Sequence, residues 1–412
     1  MQTDNREAAD QLAKIWDLAG GDSKALDRVA LTGDEPALPG IYKVGVQAQA
    51  AIAATDGGWV QVHCNYPQHR MAAAELLHCA YNRAGVQRVF DGMSAAEVEE
   101  LFAANSLPIA RMRSEDEWGA HPQSAALDSQ PVLILEKIGE AEPRPLPAAG
   151  ERPLAGLRVL DLTKVIAGPV CGRTMAEHGA EVLQITAAHM AHAMALIIDA
   201  NRGKRSAYLD LRKDAGVGRL KGLVREADIF VQGYRPGTLA SRGLGPEQLA
   251  ALRPGLVYVS LSAFGHEGPW SERRGFDSIV QTASGIGHAG GVAAGKDGMQ
   301  HLPCQALDHG SGYLMALGAM MARLKQAEEG GSWLVRVSLA RTGRWLQSLG
   351  KQDALDAPEM TAEGIADLIE DYGQTAFGHM TGVKPAAQLK ATPGYWATKT
   401  VPPGTHAPEW GA

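Results

Sequence analysis

The chain has 412 residues, of which 45% are hydrophobic and 21% charged, so it can bury a sizeable core, and this composition argues against wholesale disorder. At roughly 150 residues per domain, the length predicts two or three domains. Asp and Glu (46) outnumber Lys and Arg (39), and the net charge of -7 argues against a broad nucleic-acid-binding surface.

The cysteines and the apolar runs bear on metal binding and compartment. Cys64, Cys79, Cys171 and Cys304 form no CxxC pair and no His/Cys cluster with zinc spacing. Unpaired thiols are typical of a reducing compartment, and the polar N-terminus lacks the apolar stretch of a secretory signal. No run of about 18 apolar residues predicts a membrane span. We therefore expect a cytoplasmic protein with no metal, no membrane contact and no nucleic-acid partner.

Residues 1–57 are predicted as an N-terminal segment with a weak internal echo. Leu38–Thr55 resembles Leu302–Met320 in pattern, since both begin Leu-Pro and pass through small or polar residues into an Ala-rich helix. The ungapped match sets Val44 opposite Asp308. Either the segment is a degenerate copy of that helix, or the match arises by chance.

Residues 58–138 are predicted as a small α+β domain with a strand, two helices and two further short segments. In chain order these are Trp59–His63, His69–Ala84, Ser94–Ala104, Pro108–Met112 and Pro131–Ile138. Residues 139–156 are rich in proline and small residues and cannot form one regular element. This segment is therefore predicted as a linker between two domains.

Residues 157–345 alternate short β-rich runs with helical stretches. The predicted strands are Arg158–Leu162, Ala180–Ile185, Ser206–Leu211, Asp228–Gln232 and Leu256–Ala263. The predicted helices are Gly168–His178, Asp214–Ala227 and Gly245–Leu252. This rhythm indicates an α/β protein with a doubly wound, Rossmann-like parallel sheet and helices on both faces. In such a sheet, ligands bind beyond the carboxyl ends of the strands.

Residues 346–412 are predicted as a C-terminal segment that wraps over the surface. A helix is expected at Thr361–Tyr372, followed by turn-rich sequence.

Several common catalytic motifs are missing. The first strand-to-helix turn of the larger domain reads LDLTKVIAGPVCG and lacks the GxGxxG fingerprint. GxxxxGK[ST], HExxH and GxSxG do not occur either. These observations count against a nucleotide-dependent dehydrogenase, a P-loop enzyme, a zincin and an α/β-hydrolase.

Five blocks of sequence carry a family resemblance: Arg152–Gly179, Ala200–Arg212, Asp228–Gly245, Leu256–Gly285 and Leu302–Ala322. In order and spacing they resemble the class III CoA-transferases, the CaiB/BaiF family. That family includes formyl-CoA transferase, carnitine CoA-transferase and, on the same fold, α-methylacyl-CoA racemase. The resemblance implies an enzyme that moves coenzyme A, as its acyl-CoA substrate, between carboxylic acids.

The order of the domains departs from the family pattern. In better-known members the small domain follows the core of the large one, whereas here residues 58–138 come first. The chain therefore looks circularly rearranged or partly duplicated. Family members usually form interlocked homodimers, so the resemblance also implies a homodimer.

Asp308 is the predicted catalytic residue. The resemblance implies that its carboxylate attacks the acyl-CoA thioester. The residues fit this role independently, because Asp308 precedes His309-Gly310-Ser311-Gly312 and a helical run. A helix N-terminus favours the ionised, nucleophilic carboxylate. The alternative is that Asp308 only caps the helix.

The resemblance also implies the residues that contact CoA. Val165, Ile166 and Ala167 line the first turn, Leu209, Gly233 and Tyr234 flank the adenine and ribose, and Arg242 and Arg274 complete the set, with Arg274 near the phosphates. Ala187 and Ser241 stand where the family often has basic residues. Arg202, Lys204 and Arg205 either compensate or form a solvated face.

Phe276 bears on the type of reaction. In the racemase relatives a His at this position works with the nucleophile-position Asp, and Phe cannot move a proton. Acyl transfer is therefore favoured over the same-fold alternative, an acyl-CoA racemase or isomerase. A catalytically silent CoA-binding protein is the other alternative. Asp277 is either a partner of the site or a surface N-cap, and Asn65–Arg70 is either a lid or an ordinary turn.

Overall fold

The computed structural model describes residues 49–80, 82–146, 152–351, 361, 363–387 and 389–411. They divide into two compact units. The smaller unit contains the described residues of 49–116, 274–301 and 361–364, and the larger contains those of 117–273, 302–351 and 365–411. Val44, on which the internal echo depends, lies outside the described residues.

The strands in chain order are β1 Gln49–Ala53, β2 Trp59–His63, β3 Ile109–Arg111, β4 Ile134–Gly139, β5 Arg158–Asp161, β6 Glu181–Thr186, β7 Lys204–Tyr208, β8 Ile229–Gln232, β9 Val257–Ser262, β10 Ser332–Ser338, β11 Ile369–Thr375 and β12 Gly378–Val383. The helices are α1 Pro67–Leu76, α2 Arg83–Phe90, α3 Ala95–Ala104, α4 Glu115–Gly119, α5 Pro122–Asp128, α6 Ala167–Glu177, α7 Met194–Ala200, α8 Asp214–Val224, α9 Pro246–Leu252, α10 Asp277–Ala283, α11 Ile286–Ala293, α12 Ala306–Glu329 and α13 Leu339–Ser348. Among the helices of these described ranges, none is both long and apolar enough to cross a membrane.

The smaller unit is built on a three-stranded antiparallel sheet in the order β1-β2-β3. β1 pairs with β2 along its whole length, from Gln49 opposite His63 to Ala53 opposite Trp59. Asp-Gly turns favour such hairpins, and Gly57 supplies the left-handed residue, with a φ of 74°. Gln49–Ala53 is therefore a strand and not the Ala-rich helix that the echo predicts.

N-cap residues determine where two helices of the smaller unit begin. α3 begins after Ser94, which forms a capping box with Glu97, and this confirms the predicted helix at Ser94–Ala104. The single helix predicted at His69–Ala84 is wrong. The chain turns at His78, whose φ is 46°, and α2 starts anew where the Asn82 side chain accepts a hydrogen bond from Gly85 N–H at 2.8 Å.

The larger unit contains a seven-stranded sheet in the order β4-β10-β9-β8-β5-β6-β7. All neighbouring strands are parallel except β4, which pairs antiparallel with β10 at one edge. The predicted α/β class with a parallel sheet is confirmed. β4 lies in the segment that the sequence analysis assigns to the small domain, whereas in the structure it belongs to the large sheet. The sequence of a single short strand does not show which strand it pairs with.

Alternating side chains of the strands feed two cores, one on each face of this sheet. Val159 of β5 packs in the core that contains residues of α6 and α12. Leu160, the next residue, packs in the opposite core with residues of α8 and α9. Burial on both faces explains why these strands are nearly continuous apolar runs.

The C-terminal part begins with a hairpin in place of the predicted helix at Thr361–Tyr372. A short 3-10 helix at Ala366–Leu368 leads into β11, which pairs antiparallel with β12. The tight turn before Gly378, whose φ is 101°, brings the two strands together. Pairing with β12 therefore decides the conformation of a segment whose local sequence is ambiguous.

The final residues run along β7, the other edge of the large sheet. Gly203 N–H donates to Thr398 O at 2.8 Å, and His406 N–H donates to Ser206 O at 2.8 Å. Further along, the Trp410 indole donates to Leu223 O at 3.2 Å. The edge strand is thus covered by the chain's own C-terminal segment.

Candidate active site

The topology predicts a crevice beyond the carboxyl ends of β5 and β8, because the connections that follow these two strands run in opposite directions across the sheet. These neighbouring strands are parallel, with Val159 opposite Ile229. From β5 the chain moves to β6 on one side, and from β8 it moves to β9 on the other. Ligands of open parallel sheets bind beyond the carboxyl ends of the strands at such a switch point. The turn after β5, and Gly233 and Tyr234 after β8, therefore border the candidate site.

The turn between β5 and α6 holds Val165 in a left-handed conformation, with a φ of 72°. For a β-branched residue this is strained backbone, which costs about 1–3 kcal/mol and clusters at functional sites. Upstream, Asp161 accepts hydrogen bonds from the Thr163 backbone N–H at 2.9 Å and from the Thr163 hydroxyl. The start of the turn is therefore fixed to the end of β5.

A fully buried ion pair lies under this turn. Lys204 Nζ is 2.7 Å from Asp161 Oδ2, and both side chains are 0% exposed. The same ammonium donates to Pro169 O, in α6, at 2.8 Å. Burial lowers the pKa of Lys204, and the Asp161 carboxylate opposes that shift. Gly172 allows α6 to lie on the pair, because a Cβ there would be 2.5 Å from Asp161 Oδ2.

Asp308 is the third residue of α12 and is 7% exposed. The predicted location near a helix N-terminus is confirmed, and the positive end of the helix dipole stabilises a carboxylate there. Ser311 Oγ lies 2.8 Å from Thr342 Oγ1, which ties this part of α12 to α13. The catalytic role of Asp308 stays a prediction.

Gly312 brings α12 against the start of α6. A Cβ at Gly312 would be 2.5 Å from the backbone oxygen of Ala167 and 2.7 Å from Val170 Cβ. Asp308 lies one helical turn before Gly312, and residues four apart share a face of a helix. The structure therefore brings the Asp308 turn to the same side of the larger unit as the turn at Val165–Ala167.

One part of this neighbourhood has no motif in the sequence. Asp199 accepts hydrogen bonds from Arg173 and Arg202. Burial and the nearby Arg173 lower the pKa of His309, the residue after Asp308, while Asp199 opposes that shift. His309 is therefore a neutral imidazole near pH 7. In the sequence, the only indication that His309 belongs to this site is its position next to Asp308.

A sequence profile of CoA-transferase family III matches residues 154–376, more than half of the chain. The chain belongs to CoA-transferase family III. The resemblance drawn from the five sequence blocks is thereby confirmed.

The matched relatives cover only part of this family III chain, and it covers only part of them. An acetyl-coenzyme A transferase from Hypoxylon pulicicidum is 34% identical over 212 residues, which are 50% of this chain and 36% of that protein. A probable fatty acyl-CoA transferase from Mycobacterium tuberculosis is 31% identical over 210 residues, 48% of this chain and 53% of that protein. A crystal structure of a CaiB/BaiF family protein from Brucella suis aligns with a TM-score of 0.41 and 27% identity, covering 49% of this chain and 59% of that one. The chain thus spans roughly half or less of the length of these two curated relatives.

Several residues predicted to contact CoA in this family III member meet in the larger unit. Leu209 follows β7 and Tyr234 follows β8, and both pack against the same apolar core. Burial raises the pKa of Tyr234, and the charge of Arg242 opposes that shift. Arg242 Nη1 also donates to Leu211 O at 2.7 Å. An apolar surface, a phenol ring and an exposed guanidinium therefore lie together beyond β7 and β8.

The basic residues proposed to compensate for Ala187 and Ser241 are engaged elsewhere. Lys204 is buried with Asp161. Arg202 pairs with Asp199, and Arg205 donates to Glu409 O at 3.0 Å. These three residues hold the larger unit together. For Lys204 both predictions from sequence are wrong, because a fully buried side chain is neither a CoA contact nor part of a solvated face.

Arg274, Phe276 and Asp277 belong to the smaller unit. Arg274 Nη1 lies 3.1 Å from His69 Nε2. The Phe276 ring stacks on His63 with 3.7 Å between ring centroids. Asp277, at the start of α10, is 2% exposed, so it is not a surface cap. Burial lowers the pKa of His63 to about 3 and that of His69 to about 4, which keeps both rings neutral.

Two other expectations concern the smaller unit and metals. The predicted polar loop Asn65–Arg70 is largely helical, since α1 begins at Pro67. Within the ranges that the structure describes, no group of three or more His, Cys, Asp or Glu side chains is placed to hold a metal ion.

Proposed function

We propose that this family III chain is an acyl-CoA transferase that moves CoA between carboxylic acids through a covalent intermediate on Asp308. Family membership and the transferase names of its relatives support the reaction class. The observation that carries the covalent route is the placement of Asp308. It is buried in the first turn of α12, packed through Gly312 against the strained turn at the switch point.

In the proposed cycle, the Asp308 carboxylate attacks the thioester carbon of the donor. The new carbon–oxygen bond gives a mixed anhydride, and the broken carbon–sulfur bond frees CoA thiolate. The thiolate attacks the Asp308 carbonyl, forming an aspartyl-CoA thioester and releasing the donor carboxylate. The acceptor carboxylate then attacks the carbonyl carbon of the aspartyl-CoA thioester, which gives a second mixed anhydride and frees CoA thiolate. The thiolate attacks the acceptor's carbonyl carbon, so that the acceptor leaves as its CoA ester and the Asp308 carboxylate is released.

The surroundings of Asp308 suit a carboxylate nucleophile. Its low exposure removes water that would otherwise solvate the charge. The positive end of the α12 dipole favours the charged form of a carboxylate in this first turn. A dry site also strengthens the stabilisation of the oxyanion that forms at each attack.

The seven predicted CoA contacts of the larger unit are part of this proposal. Their common property supports it, because each lies after the carboxyl end of a parallel strand and no further along the chain than the first residue of the next α-helix: Val165, Ile166, Ala167, Leu209, Gly233, Tyr234 and Arg242. Arg274 of the smaller unit is proposed for the phosphates on the family resemblance alone.

The test is covalent trapping. The purified chain is incubated with acetyl-, succinyl- or long-chain acyl-CoA, treated with hydroxylamine, and analysed by intact mass and peptide mapping. We expect one adduct per chain, at Asp308. Asp308→Asn keeps the shape and should give none, whereas Asp214→Asn, the same change in the first turn of α8, should label like the wild type. An adduct in residues 1–138, or two per chain, would contradict the single site.

The alternatives have distinct outcomes. A silent CoA-binding protein would bind CoA and give no adduct with any donor. A racemase or isomerase would exchange the α-proton of 2-methylacyl-CoA in deuterated water, dependent on Asp308. Fast exchange would favour the racemase or isomerase, although Phe276 offers no proton-transferring group.

The family resemblance also supports a homodimer, which light scattering on the purified chain would test against a monomer mass. The cysteine pattern of the sequence, which contains no CxxC pair, supports a reducing, cytoplasmic location. Fractionation of cells that express the chain would test this.

A further inference from the structure

We infer that Asp161 and Lys204 are positioning residues that force the turn at Lys164–Ala167 into the shape that the acyl-transfer site requires. The inference rests on the proposed function for its kinetic consequence. Neither residue is assigned a contact with substrate, because both side chains are fully buried.

The pair fixes the turn at both ends. On one side, Asp161 accepts hydrogen bonds from the backbone and hydroxyl of Thr163. On the other, Lys204 Nζ donates to Pro169 O at 2.8 Å. The ion pair itself, at 2.7 Å, joins these two anchors. The residues between Thr163 and Pro169 therefore have to span a fixed gap.

That constraint explains the conformation of Val165. A β-branched residue reaches a φ of 72° only where its surroundings over-determine it. Gly168 closes the turn tightly, since a Cβ there would lie 2.3 Å from Thr163 Cβ. The strain in Val165 is thus maintained by charges buried beneath it.

The turn is also coupled to the proposed nucleophile. Ala167 O is the atom closest to the missing Cβ of Gly312, one helical turn after Asp308. If the turn relaxes, Ala167 shifts, and α12 loses the surface against which it packs. A displacement of this kind alters the geometry of a reaction far more than it alters the overall fold.

The test removes both charges together, because a single buried charge without its partner would destabilise the fold. The variant is Asp161→Asn/Lys204→Met. The matched control is Glu99→Gln/Arg113→Met, which removes another buried ion pair, with both side chains 3% exposed, in the smaller unit. Steady-state kinetics and crystal structures of both variants are the measurements.

We expect kcat of the Asp161/Lys204 variant to fall by about 100-fold, with φ of Val165 moving to a negative value. The control should keep its kcat. Wild-type kcat with Val165 still left-handed would overturn the inference, and so would an equal fall in both variants.

A milder variant covers the case in which the double variant does not fold. Thr163→Val keeps the ion pair and removes only the hydroxyl bond to Asp161. It should lower kcat several-fold while the protein stays folded at the assay temperature, and an unchanged kcat would overturn the inference. If the wild type transfers no acyl group from any donor, the proposed function fails, and the φ of Val165 in the double variant still decides the positioning role.

Discussion

Replacing Gly312 with alanine tests whether α12 must lie directly on the start of α6. The added Cβ would be 2.5 Å from Ala167 O, a backbone atom that cannot rotate away. A carbon–oxygen contact needs about 3.3 Å, so α12 has to retreat by roughly 0.8 Å. Overpacking of this kind costs about 1–3 kcal/mol, and alanine returns about 1 kcal/mol as the better helix former.

Gly312→Ala should therefore lose up to about 2 kcal/mol of unfolding free energy. Because the displaced helix carries Asp308, kcat should fall by roughly 10- to 100-fold. Gly218→Ala is the control, since an added Cβ at this α8 position meets nothing within 4 Å. It should gain up to about 1 kcal/mol and keep its kcat.

Urea unfolding and initial-rate transfer assays measure both effects on both variants. The reasoning is refuted if Gly312→Ala gains stability as Gly218→Ala does and retains its kcat, because α12 would then not be packed on Ala167 as described.

Three further predictions concern charge and the C-terminal segment. Burial raises the pKa of Glu177 to about 7 from 4.5, so its contribution to the free energy of unfolding is complete below pH 4.5 and is lost as the pH rises towards 7. The Glu177→Gln variant should therefore have a higher melting temperature than the wild type at pH 8 and the same melting temperature at pH 4. Burial lowers the pKa of His63 to about 3 from 6.5, so the unfolded chain takes up a proton that the folded chain does not, and the free energy of unfolding decreases as the pH falls below 6.5. The melting temperature of the His63→Phe variant should therefore depend less on pH between pH 7 and 4 than that of the wild type. Equal pH dependence in the two proteins would contradict this. Trp396→Ala removes a ring 4.0 Å from the Arg202 guanidinium and the indole hydrogen bond to Arg173 O; a loss of about 2 kcal/mol is expected in urea unfolding, and an unchanged midpoint would show that the segment contributes little.

The sheet and the location of Asp308 could be predicted because their causes are local. Strands such as β5 and β9 are apolar on both faces, so their runs stand out against the helices between them. The small and polar residues after Asp308, followed by a long apolar-periodic stretch, predict where α12 begins. The order of the strands is harder to predict from sequence. β4 is an example, because nothing in the sequence Ile134–Gly139 indicates that it pairs with β10.

The shape of the site could not be predicted because its causes are remote in sequence. Val165 has no local signal for a left-handed conformation, which Lys204 imposes from 39 positions away through Asp161. Lys204 itself sits between Arg202 and Arg205 and reads as part of a basic cluster. The structure shows that Lys204 is buried, because its side chain is 0% exposed and Gly172 packs on the ion pair. The helix predicted at Thr361–Tyr372 is wrong for the same reason, because its partner β12 decides the outcome.

The C-terminal residues along β7 also govern how the chain behaves among its own copies. An uncovered edge strand presents a row of backbone donors and acceptors that a second sheet can extend. Thr398 and His406 occupy such groups on β7, and the opposite edge, β4, carries exposed Glu136 and Lys137, charges that discourage addition of another strand. Proteolysis just before Thr398 would therefore expose the backbone groups of the edge strand β7 to pairing with another chain. Loss of the 15 residues from Thr398 to Ala412 should then be detectable as aggregation of the protein on storage.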